Sequence, residues 1–393
     1  SPLIDNNWIE RTALVADPTQ SGNSTIITNN YIKETMEIAG IENVQLNYGE
    51  YDYSSWMVEK INSGISYLNY RGWWGVSGFN INDVNSLSNG PMLPFATMIT
   101  CGTGSFAFDE TSMSEALLRS GTVSLPKGAI ASVGTATSGT HTAYNNIIDM
   151  GIYNGIFVEN GNTTGEALAL GKIALLKTYP NDPNDKVTIF SHWNNLMGDP
   201  AISLWTDTPK QIQLNLPEEL NLGSHSYELF VTDELNNPIK NARLVMILNN
   251  DFEILNDLTD ENGRIIANIT AGYGDIEITI TGKNLVPYEA QVTINNEQSG
   301  IYLNLENVII IDDIGNNNQI INPGEQILID FSCVNIGSIN TESFITTITT
   351  EHLELEIIQG ELNNLSIPPY SQSTIGPFEF RISNNVFHNE EIP

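Results

Sequence analysis

The residue best suited to chemistry in this chain is Cys101, one of two cysteines in the sequence. It directly follows the apolar run 95–100, which is typical of a buried strand in a parallel sheet. Ligands of such sheets gather at the carboxyl ends of the strands, so a thiol at this position is a candidate nucleophile. The thiolate is the reacting form and needs a nearby base or a favourable charge. The alternative is a buried cysteine that acts as a small apolar side chain.

Two glycines follow this cysteine at short spacing. We expect the N–H groups of Gly102 and Gly104 to be free to approach a substrate carbonyl, because no side chain shields them. Such donors form an oxyanion hole when they point at the oxygen that gains charge in a tetrahedral intermediate. The pattern therefore predicts attack of a thiolate on a carbonyl carbon.

A second candidate site lies near the carboxyl end of the chain, where oxygen-bearing side chains crowd a glycine-containing loop. Hard oxygen ligands of this kind suit Ca²⁺, although their spacing departs from that of an EF-hand. The alternative is an Asx-rich turn that binds no metal. The predicted ligands are Asp312, Asp313, Asn316, Asn318 and Glu325.

The elements that must position Cys101 are indicated by alternating strand-like and helix-like segments over residues 1–207. This alternation predicts a parallel sheet with helices on both faces. The predicted strands are residues 12–16, 43–47, 65–70, 95–100, 129–133 and 201–205, of which the last closes the domain. The predicted helices are residues 24–39, 56–62, 112–119, 144–157 and 164–178.

The pattern changes after residue 208, where helical periodicity gives way to short alternating runs separated by turn residues. Regular spacing of such runs predicts β-sandwiches. We therefore divide the chain into an α/β domain at 1–207 and two all-β sandwiches at 208–304 and 305–393, and we expect the last to be truncated. The turns at 236–242 and 259–263 resemble those of immunoglobulin-like or carboxypeptidase-regulatory-like modules.

The composition narrows the classes of partner. A formal charge of −32, from 47 acidic and 15 basic residues, repels nucleic acids and anionic lipids, so neither is expected to bind. No stretch reaches the ~18 uninterrupted apolar residues of a membrane span, so direct membrane insertion is not expected. The acidic residues indicate a solvated surface or, alternatively, a dedicated acidic binding face. Cys101 and Cys333 lie in different predicted domains, so no disulfide is expected between them.

An ordered set of short motifs resembles the catalytic subdomain of gingipain-like cysteine peptidases, family C25. The motifs are residues 64–72, 93–95, 100–106, 114–117, 128–132 and 197–200, and the resemblance extends over most of residues 10–205. The resemblance implies a caspase-like or flavodoxin-like parallel sheet, with the nucleophile Cys101 at the end of one strand. It also implies that the catalytic histidine follows the neighbouring strand.

One departure from the family pattern affects the catalytic base. Where the family has Gly-His-Gly, this chain reads Gly72-Trp73-Trp74-Gly75, so Trp73 occupies the position of the histidine. An indole has no basic lone pair and cannot accept the thiol proton. Either the domain has kept the fold and lost turnover, or the base comes from elsewhere. Trp73 and Trp74 are then expected to wall the cleft or to plug it.

His141 is the first candidate for a replacement base. It lies just past the predicted strand 129–133, which in a caspase-like sheet flanks the Cys101 strand on the side opposite Trp73. An imidazole within ~3–4 Å of the sulfur would act as the base. The alternative is a loop histidine without a partner or one that lines a substrate pocket. His192 is the second candidate, and its alternative is a structural role.

The function predicted first is a secreted or surface-bound cysteine endopeptidase that cleaves protein or peptide substrates with Cys101 and His141. No cofactor is required for this chemistry, and Ca²⁺ is expected to be structural. The resemblance implies export by the type IX pathway of Bacteroidota and segments missing at both ends. The alternative is an inactive peptidase-like scaffold that acts in adhesion, with the immunoglobulin-like modules contacting cell-surface or matrix partners.

Overall fold

The computed structural model describes residues 6–107, 110–217, 220–249, 252–271, 274–294, 300–350 and 352–386. The chain forms two compact units. The first comprises Ser1–Lys210 together with Lys283–Val286, and the second comprises Gln211–Gly282 and Pro287–Pro393. Within the described part of the chain, no helix is both long and apolar enough to cross a membrane.

The first unit alternates strands and helices in the predicted order. Its strands are β1 (Arg11–Ala16), β2 (Asn43–Asn47), β3 (Tyr67–Arg71), β4 (Phe95–Met98), β5 (Ala131–Thr135) and β6 (Asn194–Met197). Its α-helices are α1 (Pro18–Ser21), α2 (Ser24–Ile38), α3 (Tyr53–Ser63), α4 (Ile81–Ser86), α5 (Met113–Arg119), α6 (Thr142–Phe157), α7 (Thr164–Thr178) and α8 (Lys186–Trp193). Two 3₁₀ turns cover Asn6–Trp8 and Pro183–Asp185.

The strands form one sheet in the order β2-β1-β3-β4-β5-β6. The pairs from β2 to β5 are parallel, and β6 runs antiparallel to β5. The sheet therefore confirms the predicted α/β fold class. Because β1, β3, β4 and β5 are parallel, the loops that follow them meet at one edge of the sheet.

The closing strand was predicted wrongly at residues 201–205. The structure places it earlier, at β6, and Ser203 makes only an isolated bridge with Thr163. Pro200 cannot donate to a ladder, and the Asp199 carboxylate accepts the N–H of Ala201 at 2.9 Å, which holds a turn there. β6 escaped detection because its sequence, NNLM, begins with two asparagines.

Two apolar layers cover the sheet because side chains alternate between its faces. On one face, Leu14, Tyr67, Phe95 and Val133 belong to a core that also includes buried side chains of α2, α6, α7 and α8. On the other face, the neighbouring residues of the same strands pack with side chains of α3, α4 and α5. These neighbours are Ala13, Val15, Leu68, Ala96 and Met98. The sheet is thus buried on both sides, which fixes the strand ends that carry the site.

The second unit is built from antiparallel sheets. Its first strands are β7 (Ile212–Leu214), β8 (Gly223–Asp233), β9 (Arg243–Leu248), β10 (Phe252–Leu258), β11 (Arg264–Ala271), β12 (Gly274–Thr281) and β13 (Tyr288–Ile294). They form sheets in the orders β10-β9-β12-β13 and β11-β8-β7. The later strands are β14 (Leu303–Ile311), β15 (Gln326–Asn335), β16 (Phe344–Thr347), β17 (Leu355–Gln359), β18 (Glu361–Asn364) and β19 (Ser371–Ile382). They form sheets in the orders β14-β15-β19-β17 and β16-β18.

Candidate active site

Cys101 lies where the loops after three neighbouring strands converge. It follows β4, is buried with 7% of its surface exposed, and forms a parallel backbone bridge with Trp74 beyond β3. The N–H of Gly75 donates to the Cys101 carbonyl at 3.0 Å. From the loop after β5, Thr140 places its Oγ1 2.8 Å from the Cys101 Sγ. The thiol therefore sits at the carboxyl edge of the sheet, in contact with a hydroxyl group.

The two glycines after the cysteine are not free donors. The N–H of Gly102 donates to the Thr137 carbonyl at 2.8 Å, and the N–H of Gly104 donates to the Thr135 carbonyl at 3.1 Å. These bonds tie the Cys101 loop to the end of β5. Both N–H groups are occupied, contrary to the expectation of an oxyanion hole formed by them. Gly104 is instead required by packing, because a Cβ there would lie 2.7 Å from the Gly134 carbonyl carbon.

The two tryptophans that follow β3 are both exposed, Trp73 by 49% and Trp74 by 62%. Trp74 lines a cleft of about 530 Å³ beside the cysteine loop. Its other lining residues are Gly102, Ser105, Glu110, Thr111, Ser112 and Ser138. Apart from the indole, the lining side chains are small or polar.

His141 begins helix α6 as its N-cap residue. The Nδ1 of its ring accepts the N–H of Ala143 at 3.1 Å, and the ring packs edge-on against Tyr144. Because Nδ1 accepts this bond, that nitrogen is not free to accept a thiol proton. In the described part of the chain, no imidazole nitrogen forms a hydrogen bond with Cys101 Sγ. The structure gives His141 a helix-capping contact, while His192 lies exposed on α8.

A buried ion pair lies at the end of β3, immediately before the two tryptophans. Arg71 and Asp149 of α6 have 1% and 0% of their side-chain surfaces exposed, and Nε of the arginine lies 3.7 Å from Oδ2 of the aspartate. Arg71 also donates to Asn146 through Nε at 3.1 Å, and Asn69 donates to Asp149 at 3.0 Å. Nη1 of the arginine and Oδ1 of the aspartate are buried without a hydrogen-bond partner among the described atoms.

The ion pair continues into a chain of buried side-chain hydrogen bonds across the sheet. Asn69 donates to Asn29 at 2.6 Å and accepts from Thr97 Oγ1 at 2.6 Å. The same Thr97 oxygen lies 2.9 Å from the hydroxyl of Tyr153. The network joins β3, β4, α2 and α6 beneath the site. It was not found from the sequence, where Arg71 and Asp149 stand 78 residues apart and carry no shared pattern.

Burial perturbs the pKa values of this pair. Desolvation raises the pKa of Asp149 to about 7, even though Arg71 and the hydrogen bond from Asn69 both lower it. Desolvation also lowers the pKa of Arg71, against favourable interactions with Asp149, Tyr70 and Cys101. The charge of Arg71 thus acts on the cysteine loop as well as on its partner.

Asp17 also lies at the carboxyl edge of the sheet, at the end of β1. Its carboxylate caps α1 by accepting the N–H of Thr19 at 2.9 Å, and it accepts a hydrogen bond from Ser77. Burial raises the pKa of Asp17, but these bonds outweigh that effect and leave the pKa below its usual value. Through its hydrogen bond with Ser77, Asp17 therefore holds in place the segment that follows the two tryptophans.

The residues predicted to bind calcium all lie in the loop between β14 and β15. Asp312 is buried, Glu325 is partly buried, and Asp313, Asn316 and Asn318 are exposed. Among the described residues, no three His, Cys, Asp or Glu side chains come together as a metal-binding group. A metal in this loop would therefore need amide, main-chain and water oxygens in addition to carboxylates.

Comparison with known proteins identifies the α/β unit. The sequence model of peptidase family C25 matches residues 4–205, just over half of the chain. The chain belongs to peptidase family C25.

Two members of the C25 family from Porphyromonas gingivalis are similar to this chain. Gingipain R2 is 24% identical over 243 residues, covering 58% of this chain and 31% of that protein. Gingipain R1 is 25% identical over 248 residues, covering 61% of this chain and 23% of that protein. The chain thus spans about a third or less of the length of these relatives.

Solved C25 structures share the fold. The crystal structure of the Arg-specific cysteine proteinase gingipain R superposes with a TM-score of 0.63 at 21% identity, covering 74% of this chain and 68% of that one. A complex of the pro- and mature domains of a Porphyromonas gingivalis gingipain matches with a TM-score of 0.62 at 20% identity. The matched share of this chain exceeds the α/β unit, so the likeness extends into the β-rich part.

Proposed function

We propose that this protein hydrolyses peptide bonds as a cysteine endopeptidase, with Cys101 as the nucleophile. The supporting observation is the position of its Sγ at the convergence of the loops after β3, β4 and β5, beside an open polar cleft. Membership of family C25 supports the reaction class. Protein or peptide segments are the proposed substrates.

The contacts of Cys101 suggest how the thiolate is stabilised. Thr140 Oγ1 can donate to a thiolate at its 2.8 Å separation, but a hydroxyl is not a base near neutral pH. Because general-base catalysis contributes ~10²–10⁴ to the rate, turnover is expected to be slow unless substrate binding repositions a base. The buried guanidinium of Arg71 interacts electrostatically with Cys101.

A second candidate function is a catalytically inactive scaffold. It is favoured by Trp73 at the family's histidine position and by His141 Nδ1, which caps α6. In this case the cleft would bind a peptide without cleaving it, and the β-rich unit would act as immunoglobulin-like modules that contact cell-surface or matrix partners. The fold serves both functions equally, so only the site distinguishes them.

The two functions are separated by measuring cleavage of a fluorogenic peptide library by the full chain. We expect hydrolysis that Cys101→Ala abolishes and that Cys333→Ala, a change at the other buried cysteine, leaves unchanged. Equal hydrolysis by wild type and Cys101→Ala would rule out the thiol mechanism. Peptide binding without any cleavage would support the scaffold.

We further propose that the protein acts outside the cell, secreted or held on the outer surface. Similarity to gingipains supports this location. Antibody labelling of intact cells of the source organism tests it. Labelling that requires prior lysis would contradict it.

A further inference from the structure

The loop between β14 and β15 contains a buried carboxylate with one unused oxygen. Asp312 is only 2% exposed, and its Oδ2 accepts the N–H of Asn318 at 2.8 Å. Its Oδ1 is buried and has no hydrogen-bond partner among the described atoms. A buried anionic oxygen without a partner is costly, so such an atom calls for a ligand.

The unused oxygen points toward a second carboxylate. A Cβ built on Gly315 would lie 2.0 Å from Asp312 Oδ1 and 3.2 Å from the Glu325 carboxyl carbon. Asp312 Oδ1 and the Glu325 carboxyl carbon therefore lie no further apart than the sum of these two distances. Any Cβ at position 315 would clash with the aspartate oxygen, so glycine is required there.

No positive side chain balances these two carboxylates. In the described ranges, neither Asp312 nor Glu325 forms an ion pair with Lys, Arg or His. Two like charges in one partly buried space repel each other strongly unless a cation lies between them. The arrangement thus requires a cation from solution or the loss of a charge.

Hydrogen bonds hold the second carboxylate in place. Glu325 Oε1 accepts the N–H of Asn316 at 3.3 Å, and Oε2 accepts the N–H and the side-chain amide of Asn322, each at 3.0 Å. Together with the bond from Asn318 to Asp312, these contacts fix both carboxylates without neutralising them. Both Glu325 oxygens accept these bonds, and Asp312 Oδ1 is the carboxylate oxygen that remains without a donor among the described atoms.

We propose that Asp312 and Glu325 bind one Ca²⁺ ion in this loop. Ca²⁺ takes about six to eight oxygen ligands, and it accepts the amide, main-chain and water oxygens that would complete such a shell. Two carboxylates match the weak affinity range of extracellular calcium modules, with Kd of about 10⁻⁴–10⁻³ M. Asp313 is exposed and is not part of this ligand pair, which narrows the set predicted from the sequence.

Bound Ca²⁺ would tie the carboxyl end of β14 to the amino end of β15. These strands pair in an antiparallel ladder, from Leu303 opposite Asn335 to Ile311 opposite Leu328. Because the ion binds the folded loop and not the unfolded chain, it should stabilise the folded protein by mass action.

Thermal unfolding of the full chain tests this site, with about 10 mM CaCl₂, about 10 mM MgCl₂ or EDTA at matched ionic strength. With Kd near 1 mM, Ca²⁺ should raise the Tm of the transition that contains the loop by roughly 3–6 °C. Mg²⁺ should raise it less, because its smaller, strictly octahedral shell fits a loop of this kind poorly. Calorimetric titration of wild type with CaCl₂ should give one saturable site.

Substitutions in the loop distinguish Ca²⁺ bound at a specific site from general screening of the acidic surface by the added cations. Asp312→Asn and Glu325→Gln should each remove most of the Ca²⁺-dependent rise in Tm. The matched control Asp313→Asn removes the same charge from the same loop and should keep the rise. In EDTA, Asp312→Asn should be at least as stable as wild type, because it relieves the repulsion.

Three results would overturn the proposal. One is an absence of both binding heat and Tm shift in wild type. Another is an equal shift with Mg²⁺, and the third is a loss in Asp313→Asn as large as that in Asp312→Asn. If Asp312→Asn does not fold, Glu325→Gln and the titration of wild type with CaCl₂ still test the proposed Ca²⁺ site. The outcome is independent of peptide hydrolysis, so it neither supports nor weakens the proposed enzymatic function.

Discussion

The contact between Cys101 Sγ and Thr140 Oγ1 limits the chemistry of the site. A hydroxyl can stabilise a thiolate by donating a hydrogen bond, but it cannot take the proton away at neutral pH. The imidazole nearest in sequence, His141, uses its Nδ1 to cap α6. In this arrangement, neither the Thr140 hydroxyl nor the capping Nδ1 of His141 therefore serves to accept a proton from the Cys101 thiol.

Two substitutions at His141 separate a catalytic role from a capping role. His141→Asn keeps an oxygen able to cap α6 and removes the base, whereas His141→Ala removes both. If the ring only caps the helix, Asn should retain activity, while Ala should lower the free energy of unfolding by ~1 kcal/mol. Peptide hydrolysis and urea unfolding measure the two effects. Loss of hydrolysis in both variants, with stability kept in Asn, would instead make His141 the base.

Trp73→His restores an imidazole at the position that the family pattern assigns to the base. We expect hydrolysis to increase, by up to ~10²-fold, because a base then follows β3 beside the cysteine loop. Trp74→His is the matched control, since it places the same ring one residue further along. An equal increase in both variants would indicate that the tryptophans merely obstruct the cleft. No increase in Trp73→His would show that the missing imidazole does not limit the rate.

At the scale of elements, a buried polar network holds β3, the strand that leads to the two tryptophans. Arg71 at the end of β3 pairs with Asp149 of α6 within a fully buried polar network. Removing the arginine of such a pair is strongly destabilising, by ~3–5 kcal/mol, because it leaves the aspartate buried without its partner. The network thus fixes how β3 and α6 present their loops to Cys101.

The raised pKa of Asp149 predicts a pH-dependent stability. Its pKa is about 7 in the folded protein against an ordinary 3.8, so the folded state binds a proton more tightly than the unfolded chain. The resulting stability is complete below about pH 4 and is lost as the pH rises through about 7. Between about pH 5 and pH 8, we expect the free energy of unfolding of the α/β unit to fall by ~2–4 kcal/mol.

Asp149→Asn should abolish this fall, because the amide does not titrate and closely matches the neutral acid in shape. Urea unfolding of both proteins at the two pH values measures the difference. Arg71 keeps its hydrogen bonds to Asn146 in the variant, which favours folding. An unchanged pH dependence in Asp149→Asn would show that another group causes it.

At the scale of the whole molecule, the α/β unit includes a segment that is distant in sequence. Residues Lys283–Val286 belong to it. The side chain of Asn284 accepts the N–H of Thr206 and donates to its Oγ1, each at 3.0 Å. The N–H of Lys210 donates to the Asn284 carbonyl at 2.9 Å. The predicted boundary at residue 207 would cut through this cluster.

Asn284→Ala should therefore destabilise the α/β unit. Loss of two side-chain hydrogen bonds costs ~1–3 kcal/mol, and the left-handed φ of 54° adds ~1 kcal/mol for alanine. Asn284→Gly loses the same bonds but tolerates that φ, so it should fall between Ala and wild type. Chemical unfolding of the full chain measures all three. Equal stability of the α/β unit in all three proteins would show that the contacts of Asn284 do not stabilise this unit.

The sequence alone determined the fold class of the first unit, the change to β structure near residue 208, and the placement of Cys101 after a central strand. These features follow from local periodicity, turn residues and an ordered set of motifs. Only the tertiary structure showed that the N–H groups of Gly102 and Gly104 are occupied, that His141 caps a helix, and that Arg71 is paired. The partners of the two glycines and of Arg71 are distant in sequence, so no local pattern records these contacts, whereas His141 caps α6 through Ala143, two residues further on.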